Sequence, residues 1–412
     1  VTKTVRTFVL LFLFAFVVRL DVGLWAGIYR DAVEDEKGYV QLALSVAQSH
    51  EFSQEQWRPN SDIGESDTRA SFRGPVVPLL FAPAAPTWPP VTHGYGHGPE
   101  LARMRLIAIL LGALGPPLLF LALRNSSLGD RAWWPAAAYA LWPPAIYVSV
   151  RALSEAPSQA LLLGAVAALV APRTRGGIAG GALAALAVLA RPAALIPAAL
   201  LVFATGTRRR AIGFVIAFVA VMAPWEIRNW NLHGRPLLTT NTGVTLVGGN
   251  SQAAADAEHP GKWVSPQSVY ALDDDGPDLG MWGWSKLSEE ASDRRFAADA
   301  LRWVGEHPAA AARLCFWKVV RLFDPDPHSE KDDAESKAFI GWLTFAPVLI
   351  LAIYGARQAD RVWWFLLAGT VLTALIFYGD TRMRTCADPA LLVFAAYGAV
   401  RVAARFRGQP VH

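Results

Sequence analysis

RRRAIGFVIAFVAVMAPWEIRNW, Arg208–Trp230, is the stretch on which the fold turns. Three arginines open it, residues 211–225 carry no charge, and Trp225 and Trp230 bracket its polar close. Cations at one end of an apolar run and tryptophans at the other mark a segment that crosses a bilayer, since both residue types settle at the water–lipid boundary. Arg228, on the tryptophan side, runs against the usual gathering of cations on the cytoplasmic side. It would either snorkel to the surface or grip a phosphate with its planar fork.

Similar runs recur on both sides of this one. Spans are expected at roughly 5–23, 104–123, 132–150, 155–171, 177–190, 193–206, 211–225, 338–356, 362–379 and 389–404. A helix needs about 20 apolar residues to cross the hydrocarbon core, so the fifth to seventh would tilt or cross only in part. Composition agrees: 17% of the 412 residues are charged, where soluble domains carry about a quarter. The net charge of +4 does not point to nucleic acid, because the basic residues sit between apolar runs as topology signals. The first run is basic and then apolar with no small-x-small cleavage site after it, and is read as a retained span. Cys315 and Cys386 belong to no metal-binding pattern, and either stay as thiols or pair.

The short loops orient the chain. Lys3, Arg6, Arg124, Arg131, Arg173, Arg175, the triplet 208–210, Arg357, Arg361 and the arginines after 400 fall on one side, with few acids. That side is cytoplasmic by the positive-inside rule, and both termini lie there. Two long stretches remain outside, 24–103 and 226–337. The chain therefore divides into 1–225, a transmembrane module with the first outer loop; 226–337, the second outer loop; and 338–412, the last spans. Residues 38–48 have helical spacing, and PVVPLLFAP reads as a short surface helix broken by prolines. Glu289–Gly305 and Ala309–Phe323 read as two amphipathic helices parted by His307-Pro308.

Several outer residues have chemistry to offer. Asp35 and Glu36 follow the first span, and Asp35 shares a helical face with Tyr39. A carboxylate there either accepts a proton from a nucleophile or simply opens a helix, where acids suit the dipole. Arg382 and Arg384, in DTRMRTCADP, form an anion clamp or pair with Asp380 and Asp388. Glu155 opens a span, as a helix-end charge or a cavity wall. Arg191 sits at or just above membrane depth, where an ionisable side chain is costly and functional by default. His93 and His97 have possible metal spacing in a glycine-rich loop, and DPDPH, Asp324–His328, reads as a rigid turn.

In order, the chain shows DEKGYVQLA (Asp35–Ala43), RGPVVPLL (Arg73–Leu80), SE (Ser154-Glu155), GALAALAVLARP (Gly181–Pro192), PWEIRN (Pro224–Asn229), TTNTGVTLVGGN (Thr239–Asn250), HP (His307-Pro308) and RMR (Arg382–Arg384). This series resembles the GT-C-fold glycosyltransferases, in the bacterial branch related to protein O-mannosyltransferases and lipid A aminoarabinose transferases. Two departures stand out. Gly74-Pro75 replaces paired prolines, and Met383 replaces an aromatic residue between the final arginines.

The resemblance implies an all-α polytopic membrane protein of the GT-C fold, with about ten transmembrane helices and two large periplasmic loops carrying juxtamembrane helices. It implies a site on the periplasmic face of a bacterial inner membrane. There a monosaccharide would pass, with inversion, from a polyprenyl-phosphate donor to a lipid, glycan or protein. Asp35 would be the general base, with Glu36 as the second choice. Arg228, Arg382 and Arg384 would hold the donor phosphate, with Arg191 and Lys318 as further candidates. Tyr39, Arg73, Glu155, Asn229 and Asn250 would line the cavity. A divalent metal is left open. The rival class is a transporter or flippase, or a non-catalytic partner in envelope glycan assembly. A transporter predicts an internal repeat and polar residues at mid-membrane; no repeat is seen, and only Arg191 near a span end is polar.

Overall fold

Helices follow the apolar runs, and prolines set most of their breaks. The computed structural model describes residues 3–30, 32, 34–55, 68–69, 71–85, 98–172, 175–270, 288–325 and 334–407. Asp31, His93, His97, Arg173 and His328 lie outside the described residues. Among the described residues, five helical segments are long and apolar enough to cross a membrane: Lys3–Trp25, Glu100–Leu123, Arg208–His233, Phe339–Gln358 and Asp388–Phe406. Glu155–Val170, Gly176–Ala190, Pro192–Ala204 and Arg361–Ile376 are shorter apolar helices at expected positions.

The span expected at 132–150 is not continuous. It forms Trp133–Ala140 and Pro143–Ser149, because Pro143 and Pro144 remove two backbone donors. The carbonyl of Ala140 would take its helical bond from residue 144, which has no N–H. Arg19 of the first helix supplies the missing donor, Nη1 to O at 3.0 Å, and its Nε reaches Ser149 Oγ at 3.3 Å. The helix from Arg208 runs through Pro224 to His233, past the boundary drawn at 225, and stops at Gly234 in the left-handed region (φ 70°).

The first helix shows which solvent surrounds the bundle. Its buried residues, Leu11, Ala15, Arg19 and Gly23, recur every four positions, while Val9, Leu10, Leu13, Phe14 and Val17 point outward. A helix that hides its arginine and exposes its large apolar side chains is built for lipid. Small residues let the helices approach closely. A Cβ at Gly177 or Gly181 would collide with the backbone of Arg210 or Phe214, and Gly355 and Gly398 meet backbone to backbone between Phe339–Gln358 and Asp388–Phe406.

The long loops carry their own helices. Glu34–Ser49 and Val76–Phe81 belong to the first, with a short antiparallel ribbon pairing Gln54–Glu55 with Thr68–Arg69. The second holds Thr242–Gly249, Gln252–Asp256 and Pro266–Tyr270, then Glu289–Glu306 and Pro308–Leu322, which are parted at His307 as expected. Val244, Val247, Phe296 and Ala300 form a small core between two of them.

Candidate active site

Local sequence places each site residue at an element's edge. Asp35 lies in the first turn of Glu34–Ser49, and Glu155 opens Glu155–Val170. Arg191 ends Gly176–Ala190, because Pro192 forces the residue before it into extended backbone (φ −145°, ψ 109°). Arg382 sits in the turn before the last helix, where the Asp380 carboxylate accepts its backbone N–H at 2.7 Å.

Folding brings five of these charges into one alternating chain. Arg73 Nη2 meets Asp35 Oδ1 at 2.9 Å, and Arg382 Nη1 meets Asp35 Oδ2 at 2.8 Å. Arg382 also holds Glu155 Oε1 through Nη2 at 2.7 Å and Nε at 2.8 Å. Arg191 Nη1 reaches the same Glu155 oxygen at 2.9 Å and Ser154 Oγ at 3.1 Å. Arg73 lies 5.0 Å from the Tyr39 ring centroid, so Asp35 and Tyr39 do share a face. Met383, the departure from the aromatic pattern, puts its sulfur 3.8 Å from Arg191 Nη2. Gly74, the other departure, packs where a Cβ would strike the Leu189 carbonyl.

The electrostatics follow from three guanidinium groups on two carboxylates. Burial pushes the Asp35 carboxyl up, but Arg73 and Arg382 outweigh it and hold the group well below the usual carboxylate range. The Arg382 guanidinium is held well above its ordinary value, by Glu155 first, against burial, and then by Asp35. The surplus positive charge suits an anion more than a metal. Both carboxylates are already neutralised, and among the described residues no group of three His, Cys, Asp or Glu is placed to hold a metal ion.

Other expected residues lie apart from this chain. Glu36 corrects the expectation of a second base: it is fully buried in a two-pronged pair with Arg105, at 2.9 and 2.7 Å, and accepts the Ala152 N–H at 2.7 Å. Arg384 is buried on Asp388 (2.8 Å) and the Leu322 carbonyl (3.0 Å), over the Phe345 ring. Lys318 and Asn250 meet at 2.7 Å, and Lys318 also donates to the Leu375 carbonyl; burial lowers its ammonium to about 8. Arg228 stacks between Phe52 and Trp225 and donates to Asn229, Ser71 and the Phe52 carbonyl, without touching Arg382 or Arg384. Asn229 accepts from Ser71 and Arg228 and donates to the Leu237 carbonyl. Cys315 and Cys386 are both free thiols. Arg105 and Arg19 were missed. Their signal was an arginine inside an apolar run, where a charge needs a partner.

The helical arrangement has the GT-C fold. The archaeal oligosaccharyltransferase AglB from Archaeoglobus fulgidus, in complex with an inhibitory peptide and a dolichol-phosphate, superposes with a TM-score of 0.51 over 99% of this chain, at 13% identity. Its apo form also gives 0.51, over 98%. The chain spans about half the length of AglB, 52% and 51% of the two AglB chains. ArnT from Cupriavidus metallidurans, bound to undecaprenyl phosphate, gives 0.40 at 13% identity, over 98% of this chain and 79% of its own. No family model matches the chain, and no curated protein matches it by sequence.

Proposed function

We propose that the protein is a membrane glycosyltransferase that moves a monosaccharide from a polyprenyl-phosphate-linked donor to an acceptor hydroxyl at the outer, periplasmic face of the inner membrane. The observation that carries this reading is Arg382, in the turn before the last helix, shared by Asp35 of the first long loop and Glu155 at the start of a bundle helix. Such a reaction needs a cation where the phosphate leaves and a carboxylate where the acceptor loses its proton.

In this mechanism the acceptor oxygen bonds to the anomeric carbon and gives its proton to Asp35. The bond from that carbon to the phosphate oxygen breaks, and its electron pair leaves on polyprenyl phosphate. Attack opposite the leaving group inverts the centre. The phosphate gains a second negative charge as the bond breaks, so a guanidinium aimed at it stabilises the transition state more than the ground state. In this reading Arg382 is that guanidinium, and Arg73 stays beside Asp35.

Mass spectrometry of the purified protein, loaded in nanodiscs with a defined polyprenyl-phosphate sugar, tests the reading. Retention of that lipid, and its loss in Arg382→Ala, is the expected result. A protein that retains only bulk phospholipid would overturn it.

A further inference from the structure

The two roles given to this site conflict in the arrangement observed. A general base works best with a pKa near the working pH, yet Asp35 is clamped by two arginines. A phosphate grip needs free guanidinium donors, yet Arg382 already serves two carboxylates. The geometry of the chain resolves the conflict. Arg73, Asp35, Arg382, Glu155 and Arg191 alternate in sign, and Arg382 is the central member. Taking it away leaves two closed pairs, Asp35 with Arg73 and Glu155 with Arg191. Neither carboxylate is stranded, which would otherwise be costly for Glu155, whose side chain is 0% exposed. Exposure points the same way: the side chains of Arg382 and Asp35 are 38% and 36% exposed, those of Arg73 and Arg191 only 18% and 12%. The most accessible bond in the chain is the one that has to open.

We propose that the donor's phosphate competes with Asp35 for Arg382, so that binding the donor releases Asp35 to act as base, while Glu155 and Arg191 are positioning residues that hold Arg382 in place. This rests on the reading of the chain as a polyprenyl-phosphate-sugar transferase. The groups facing Asp35 are Arg73 over Tyr39 from its own loop, Arg382 and Tyr378 from the turn before the last helix with Asp380 behind them, and the Glu155–Arg191 pair from the bundle. Losing Arg382 removes one of the two cations that depress the carboxyl, and it returns toward the range in which a carboxylate accepts a proton. An acceptor arriving before the donor meets a base that is still occupied.

The test is a double-mutant cycle on the affinity of the full chain in nanodiscs for undecaprenyl phosphate, which carries the phosphate and no sugar. Asp35→Asn removes the competitor, so it binds about tenfold tighter than wild type. In an Arg382→Ala background the same substitution gains no more than about twofold, because the contested arginine is gone. Simple repulsion between Asp35 and the phosphate would give equal gains in both backgrounds and would overturn the exchange. So would unchanged or weaker binding by Asp35→Asn. A wild-type protein that does not bind undecaprenyl phosphate at all would overturn the functional reading itself. Thermal unfolding of each variant, read alongside, separates a lost site from a lost fold.

Discussion

Asp35 and Glu36 are neighbours of the same charge class, and the fold gives them opposite surroundings. Asp35 is partly exposed and faces two arginines, while Glu36 is sealed against Arg105, whose other nitrogen donates to the carbonyls of Ile28 and Arg30. Breaking a buried pair from one side leaves a charge without its partner and costs about 3–5 kcal/mol. Glu36→Gln is therefore expected to lower the unfolding temperature in detergent strongly, and unfolding at the wild-type temperature would show that the pair does not hold the loop. Sequence offered both acids as bases because helical spacing says which residues share a face, not which face a second span will cover. Glu155 and Arg382 were each visible as charges at the edge of apolar runs. Their pairing across 227 positions was not, since no local pattern encodes it.

At the scale of elements, the apolar runs were legible and their interruptions only in part. The two helices around His307-Pro308 and the surface helix Val76–Phe81 stand where the sequence put them. The break at Leu141-Trp142 was signalled by Pro143-Pro144, but a run of apolar residues hid it. Helix Thr242–Gly249 was not foreseen, because its packing depends on Gly243 lying against Asp293, whose carboxylate takes the Gly243 N–H at 2.6 Å. Close approach by glycine is testable where Gly398 meets the backbone of Leu351. Gly398→Leu forces those two helices apart, and overpacking of this kind costs about 1–3 kcal/mol. A fall in unfolding temperature, larger than that of Gly305→Leu at an open position, is the expected outcome. Equal temperatures for the two variants would argue against the packing described.

Across the whole molecule, the site joins the start of the chain to its end. Asp35 and Arg382 are 347 positions apart, and the bundle between them holds the turn before the last helix over the first long loop. The all-helical membrane fold was legible because lipid imposes long apolar helices on any chain that crosses it. Which outer charges converge was not, and Arg228 and Arg384 prove to sit in separate settings. The proposed role of the Asp35–Arg382 pair is transfer of sugar from a polyprenyl phosphate. Its most direct test is single-turnover release of polyprenyl phosphate from a defined polyprenyl-phosphate sugar, by wild type and Asp35→Asn in nanodiscs, with a membrane extract as acceptor. Wild type should release the lipid phosphate, and Asp35→Asn should bind the donor yet release it about 10²–10⁴-fold more slowly, the usual contribution of a positioned base. Release by Asp35→Asn at the wild-type rate would contradict the account.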